Sequence, residues 1–318
     1  MDNQPQTSGI KCRVCHEEFS AEQNLHKHIK VHKLYLAEYY QTYWPRYDKF
    51  DAQIIRFRNK EQYLTTDFNS RDNLRKWVQQ TDEPTVRAYL KMALELRKER
   101  KKLIWTPTQV ELRTAMMAPI QCYNQFFGNY FALCEELGFK NKFSLEGSFD
   151  ESNKPPFYTI YIDRREQKPL EFVHRPFEFA TLRFGDYACS NHDFTCTGYI
   201  ERKAENDFAG TLSGGVERFC RELDRAVEEQ AYVVVLVEQT LTNCLNPERQ
   251  AQIFKRLKKA NADFIFHNVR HIIQKYANVQ FLFVADREEA AKMVERIFDS
   301  GCSYKTADLQ YLHDIGAI

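Results

Sequence analysis

The sequence predicts an α/β domain, a central sheet with flanking helices, preceded by a mainly helical middle region and a small ββα unit. Three observations carry that prediction. From residue 157 onward, short β-rich runs ("FYTIYID", "TLRFGDYACS", "FTCTGYIERK", "AYVVVLVE", "VQFLFVA") alternate with helical patterns near residues 216–229, 264–276 and 287–298. Strands alternating with helices build a sheet that is largely covered. Residues 34–145 read as mainly helical, and residues 11–33 hold paired cysteines followed by paired histidines.

Composition bounds the function. The 318 residues, 43% of them hydrophobic, suffice for two or more domains. Charged residues make up 28% yet sum to +1, so any attraction to nucleic acid must come from local patches. The nine cysteines show no disulfide-like framework, the N-terminal residues lack an apolar signal core, and no apolar run approaches the ~20 residues that span a bilayer. The expectation is a soluble protein of a reducing, intracellular compartment with no membrane partner: nuclear in a eukaryote, cytoplasmic in a bacterium or phage host.

Cys12, Cys15, His28 and His32 form the pattern C-x2-C-x12-H-x3-H, with Phe19 and Leu25 between the pairs as a small apolar core. Cysteines this close suit a tight hairpin, and histidines four apart share one helical face, so four ligands can close tetrahedrally on zinc. Ser20 and Gln23 supply a capping-box start for the helix. Over residues 12–32 the chain resembles the C2H2 zinc finger, with no departure from its spacing. That resemblance implies a structural zinc ion, and its base-reading positions fall on Ala21, Asn24 and Lys27. Asn pairs with adenine and Lys with guanine or phosphate, while one finger covers only about three base pairs. Binding protein and bracing the next helix are the alternatives. His16 and His26 are expected to face solvent.

In the middle region "LYLAEYYQTYWPRY" is aromatic-rich, and "TVRAYLKMALELRKERKKL" sets Leu90, Leu94 and Leu96 before the basic Arg97, Lys98, Arg100, Lys101 and Lys102. Such a run is either a solvated helix face or, behind a finger, a surface that tracks phosphates. Residues 126–139, "FFGNYFALCEELGF", resemble the repeat that accompanies some homing endonucleases, or form a core helix ending at Gly138. Residues 146–156 have a linker's composition. The α/β domain then occupies 157–300, and 301–318 form a C-terminal tail.

On a strand ending "YIERK", side chains two apart share a face, so Glu201 and Lys203 project together, roughly 6 to 7 Å apart, while Arg202 points the other way. Asp186 in "RFGDYAC" and Asp163 in "YIDRRE" end the preceding β segments. If these strands are neighbours, three carboxylates converge from three strand ends. Such a cluster suits magnesium or manganese, which keep several waters and bridge to phosphate. Taken singly, each residue is as well explained by an exposed ion pair. Glu238, ending "YVVVLVE", is a supporting acid or only a strand-end acid. His267 and His271, four apart on a helix, have no visible third ligand.

The order "GD" then "IERKAEND", with "IDRRE" before it, resembles the G-D-x(n)-E-R-K-x3-D signature and D-x-R-E element of the XPF/Mus81 (ERCC4-type) structure-specific endonucleases. The likeness covers about residues 157–300. It implies a restriction-endonuclease-like sheet and metal-dependent hydrolysis of DNA phosphodiesters at branched or otherwise structured DNA. Asp163, Asp186 and Glu201 would be the magnesium or manganese ligands, with Glu166 assisting. Lys203 would orient the attacking water or stabilise developing charge, and Arg165, Arg202 and Asp207 would support the site or hold phosphate. A homodimer or heterodimer through the nuclease domain is the partner the likeness suggests besides DNA. Relatives usually carry a tandem helix-hairpin-helix module next. Here "SGCSYKTADLQYLHDIGAI" follows, so the finger and the helical region are expected to supply the DNA grip. A catalytically inactive DNA-binding scaffold and a sequence-specific, homing- or restriction-like nuclease are the competing readings.

Overall fold

The structure, a computed structural model, describes residues 10–143, 157–190, 198–246 and 262–318; the expected linker at 146–156 lies outside the described residues. The chain divides into two units: Met1–Leu103 with Ala115–Leu133, and Ile104–Thr114 with Cys134–Ile318. That division falls inside the region expected as one helical block, since Ile104–Thr114 and the residues from Cys134 onward group with the sheet.

The first unit opens with an antiparallel hairpin, β1 (Ile10–Lys11) and β2 (Glu18–Phe19), and helix α1 (Glu22–Ile29). The expected capping box does not form. Ala21 is the N-cap and makes no side-chain capping bond, which leaves Gln23 one position short of where the reciprocal bond is made. Helices α2 (Leu36–Tyr43), α3 (Lys60–Thr65), α4 (Arg71–Gln80) and α5 (Glu83–Lys101) follow. Their core is aromatic, with Tyr39, Tyr40, Trp44, Tyr63, Trp77 and Tyr89 buried. Arg46 is buried among these rings, its guanidinium 3.9 Å from the Phe68 ring centroid and 5.1 Å from that of Phe57, and it donates to the carbonyls of Tyr63 and Thr66. Ring faces and carbonyl oxygens offset the cost of desolvating that cation.

A second network ties α1 to α2 and α3. Glu22 accepts from the Tyr40 hydroxyl at 3.0 Å and from Lys60, and His26 lies 3.4 Å away. His26 first, then Lys60 and Tyr40, outweigh burial and hold the Glu22 carboxyl down to about 2. His26 therefore belongs to this network instead of facing solvent as expected, because Glu22 and Tyr40 draw it toward α2. Helix α6 (Gln109–Thr114) belongs to the second unit, while α7 (Ile120–Phe127) returns to the first. Gly128, at φ 80°, ends α7, and α8 (Tyr130–Glu136) restarts beyond it, so "FFGNYFALCEELGF" is not one helix.

The second unit is built on β3 (Ile160–Asp163), β4 (Phe177–Ala180), β5 (Tyr187–Cys189), β6 (Gly198–Lys203), β7 (Tyr232–Val237) and β8 (Val279–Phe283), in the sheet order β4-β3-β5-β6-β7-β8. β5 runs antiparallel to β3 and β6, and the remaining pairs are parallel. The edge strand β4 goes beyond the sequence expectation; its Phe-Glu-Phe alternation is the available signal. Helices α9 (Glu205–Thr211), α10 (Val216–Glu228), α11 (Leu241–Cys244), α12 (Ala262–Lys275) and α13 (Arg287–Asp299) complete the layers. β7 sorts its side chains between two cores. Val233, Val235 and Val237 pack with α10 and α12, and Val234 and Leu236 with α13. A strand buried on both faces reads as an unbroken apolar run, as "YVVVLV" does.

Residues 301–318, expected as a tail, are structured. Leu309 of α14 (Leu309–Asp314) is fully buried, and the Gln310 side chain accepts the Phe283 N–H at 2.8 Å. An edge strand's buried N–H needs a partner, and α14 brings it one. Among the described residues, no helix is long and apolar enough to cross a membrane.

Candidate active site

Gly185 opens the site. Its φ of +59° is left-handed, and a Cβ there would lie 2.7 Å from the Ile200 carbonyl oxygen, so only glycine lets the chain pass this close to β6. The Asp186 N–H then donates to the Ile200 carbonyl, and the Asp163 N–H to the Asp186 carbonyl, each at 2.8 Å. Extending the registers Ile162↔Tyr187 and Tyr187↔Ile200 by one residue sets Asp163, Asp186 and Glu201 side by side across three strands. Residues directly opposite on antiparallel strands share a face. Here it is the face that packs α10, and Lys203, two residues beyond Glu201, shares it.

The three carboxyl groups meet different surroundings. Asp163 is buried, and its oxygens accept from the Arg165 N–H (2.8 Å), Nε (2.7 Å) and Nη2 (3.0 Å) and from the Leu182 N–H (2.8 Å). The Arg165 side chain leads in holding its carboxyl below the usual range. Asp186 accepts from the Arg202 N–H at 2.8 Å; burial first, and the Glu201 charge next, push its carboxyl up to about 7. Glu201 pairs with the Lys203 ammonium. Burial works against that ammonium's charge, but Glu201 and Asp186 outweigh it and hold its pKa above the ordinary value.

Asp163, Asp186 and Glu201, the expected ligand set, line up in register across three strands, with the Asp163 oxygens engaged by Arg165 and the Leu182 N–H. Asp186 and Glu201 still suit a divalent cation. They are neighbouring, partly buried acids that meet an N–H, the Lys203 ammonium and, at longer range, the Arg165 guanidinium, and magnesium binds through one or two carboxylates plus waters and phosphate.

Arg202 points to the opposite face. Its guanidinium lies 3.1 Å from Glu166 and 3.0 Å from Glu238, with side chains only 10%, 8% and 12% exposed, and Arg287 reaches Glu238 at 3.4 Å. Burial opposes the Arg202 charge, yet Glu238 and Glu166 more than reverse it and raise its pKa. Glu166 is thus engaged by Arg202, and its charge also acts on Asp186. Arg165, 71% exposed along its side chain, lies within electrostatic reach of Asp186 and Glu201. Asp207 is exposed in the first turn of α9. Sequence reasoning left Glu238 undecided and did not find Arg287; a charged residue just past a buried strand was the signal for the first.

The Cys/His cluster closes as its spacing predicts. Cys12 Sγ lies 3.6 Å from His32 Nε2, Cys15 Sγ 3.1 Å from His28 Nε2, and all four ligand atoms fall within 4.8 Å of one another. Glu17 sits 3.5 Å from His28 Nδ1, where it can orient that ring. Two thiolates and two imidazoles at this separation fit tetrahedral zinc. Ala21, Asn24 and Lys27 are exposed on α1, opposite the buried Leu25 and Ile29. Arg100, Lys101 and Lys102 are exposed at the end of α5, and Arg97 and Lys98 are half-buried. His267 and His271 are exposed and join no metal-sized group among the described residues.

A mixed sheet covered by helices on both faces, with an acid row and a lysine at its strand ends, defines an α/β domain with its chemistry at the edge of the central strands. That domain is an ERCC4 domain: residues 162–297 match it, and the segment holds Asp163, Asp186, Glu201 and Lys203. Two solved structures are similar. XPF from Aeropyrum pernix is 20% identical over 43% of this chain and 63% of that chain, with a TM-score of 0.30. XPF from the same organism in complex with DNA is 18% identical over 44% of this chain and 62% of that chain, with a TM-score of 0.30. The matched segments span less than two thirds of those chains. No curated protein matches the chain.

Proposed function

We propose that the chain is a metal-dependent DNA endonuclease acting on branched or otherwise structured DNA. One observation carries the reading: Asp186 stands beside Glu201 with its carboxyl pushed up to about 7, on the same face as Lys203, inside an ERCC4 domain. Perturbed acids of this kind concentrate at functional sites. A magnesium or manganese ion held by Asp186 and Glu201 would polarise a phosphodiester oxygen and lower the pKa of a bound water. Lys203 pairs with Glu201, and an ammonium has three donors, so two remain to orient water or meet charge developing on the phosphate. Arg165 holds Asp163 with one edge and offers its exposed remainder to a neighbouring phosphate. Arg202, between Glu166 and Glu238, fixes the strand end from behind.

Zinc in the Cys2His2 cluster is structural in this reading, since a closed four-ligand shell leaves no position for substrate. Asn24, Lys27 and the basic run from Arg97 to Lys102 then supply contacts to phosphate and a few bases. The test is one set of strands annealed as linear duplex, flap, fork and four-way junction, incubated with purified protein and magnesium or manganese. Incision near the branch, lost with Asp186→Asn, is the expected result. Cutting at one fixed sequence in linear duplex, or no incision of any substrate by well-folded protein, would overturn it.

A further inference from the structure

Two grooves of similar size flank the sheet of the second unit, one on each face. The first, about 450 Å³, runs along α10 and is lined by Arg218, Arg221, Glu222, Asp224 and Arg225. The second, about 470 Å³, lies against α13 and is lined by His174, Arg175, Lys292, Glu295, Arg296 and Asp299. Their position relative to the acid row separates them. α10 packs on the core that holds Val235 and Val237, the register partners of Glu201 and Lys203, whereas α13 packs on the core behind it.

The charges separate them further. Against α13, Arg175 is bound to Asp299 and Lys292 pairs with Glu288 at 2.7 Å. Along α10, Arg218, Arg221 and Arg225 are exposed, at the helical spacing of one face, and form no ion pair among the described residues. Asp224 in that groove is already engaged by Lys275 at 3.1 Å and the Tyr276 hydroxyl at 2.7 Å. The stripe also leads to the site. Lys203 Nζ lies 6.0 Å from the Phe219 ring centroid, and Glu222 acts electrostatically on the same ammonium.

We propose that Arg218, Arg221 and Arg225 form a phosphate track that guides one nucleic-acid strand along α10 to the Asp186, Glu201 and Lys203 site. The track rests on the nuclease reading and names the substrate feature that reading leaves open, the backbone of one strand read without regard to sequence. Seven residues of helix rise about 10 Å, which matches about three nucleotides at 3.4 Å per step of one strand. The three arginines can therefore contact phosphates within one short run of a single strand, and guanidinium groups are the side chains best suited to them.

The experiment measures affinity of the full-length protein for a labelled junction without added magnesium, as a function of salt, alongside cleavage at saturating DNA. Each single Arg→Gln exchange should reduce the slope of log affinity against log salt by about one, and the triple exchange by about two to three. The triple Arg→Lys variant should restore most of the slope, and Lys292→Gln with Arg296→Gln should leave it unchanged. Cleavage at saturating DNA should stay within about threefold of the parent for Lys292→Gln with Arg296→Gln. A parent that binds and cuts while every α10 exchange keeps its slope overturns the track and leaves the nuclease reading standing. So does an equal loss from the α13 exchanges, since the charge would then act without regard to face. A parent that neither binds nor cuts DNA overturns both.

Discussion

Neighbouring residues of one strand end meet opposite electrostatic fates. Arg202 turns toward the α13 side, where Glu166, Glu238 and Arg287 close the charge balance within the protein. Glu201 and Lys203 turn toward the α10 side, where Asp186 joins the pair with only the exposed Arg165 as a further cation within reach, and its carboxyl rises to about 7. The backbone is the same and the burial comparable, so the difference lies in which groups the flanking segments deliver. Charge that the fold neutralises fully is scaffold; charge that it leaves unbalanced is where an ion or a phosphate gains most by binding.

The largest effect expected comes from the unbalanced face. Asp186→Asn and Lys203→Ala should each slow cleavage about 1,000-fold, on the order of 4 kcal/mol of transition-state stabilisation, with DNA affinity within about twofold of the parent. Single-turnover rates and binding isotherms decide it, and near-parental rates would remove the assignment. The balanced face should respond in stability. Arg202→Ala leaves two acids without their shared cation and should cost about 3 to 5 kcal/mol in denaturant unfolding, while Arg202→Met combined with Glu166→Gln and Glu238→Gln should recover most of it.

Gly185→Ala tests the close approach that aligns the two faces. Its positive φ and the 2.7 Å contact with the Ile200 carbonyl predict a loss of about 2 kcal/mol, read in the same unfolding curves. A smaller effect follows from the raised pKa of Asp186. Its folded-state value near 7 stands above the ordinary 3.8, so its contribution to stability is full below about pH 4 and is lost as pH rises through 7. Without divalent cation, Asp186→Asn should therefore match the parent at pH 4 and exceed it by roughly 1 to 2 kcal/mol at pH 8. Equal stabilities at pH 8 would mean that neither burial nor the Glu201 charge disfavours the ionised form of Asp186. Smallest of all should be the effect of the finger on the chemistry itself. Elemental analysis should find about one zinc per chain, and Cys12→Ser should remove it and weaken DNA binding, leaving cleavage at saturating protein within about threefold.

The motif residues were legible in the sequence because local chain geometry controls them. Alternation along an extended strand sends Glu201 and Lys203 one way and Arg202 the other whatever surrounds them, and the spacing of Cys12, Cys15, His28 and His32 encodes a hairpin and one helical face. His26 and the capping box were misread for the complementary reason. A one-residue shift in the start of α1 and a network with Tyr40 and Lys60 are set by packing against α2 and α3, and such contacts leave no period in the sequence. The edge strand β4, at four residues, is likewise too short to show its alternation firmly.

By itself the sequence determined the alternation of strands and helices, the four metal-spaced ligands near the start, and the identity and order of Asp163, Asp186, Glu201 and Lys203. Only the tertiary structure decided which partners each of those acids meets. Arg165 and Leu182 cover Asp163, Glu166 and Glu238 are drawn to Arg202, and Asp186 and Glu201 are left facing each other beside the arginine stripe of α10. Partners separated by many residues in the chain meet only when the registers of β3, β5 and β6 are set. The charge balance of a buried group depends on those partners, and no local stretch of sequence contains them.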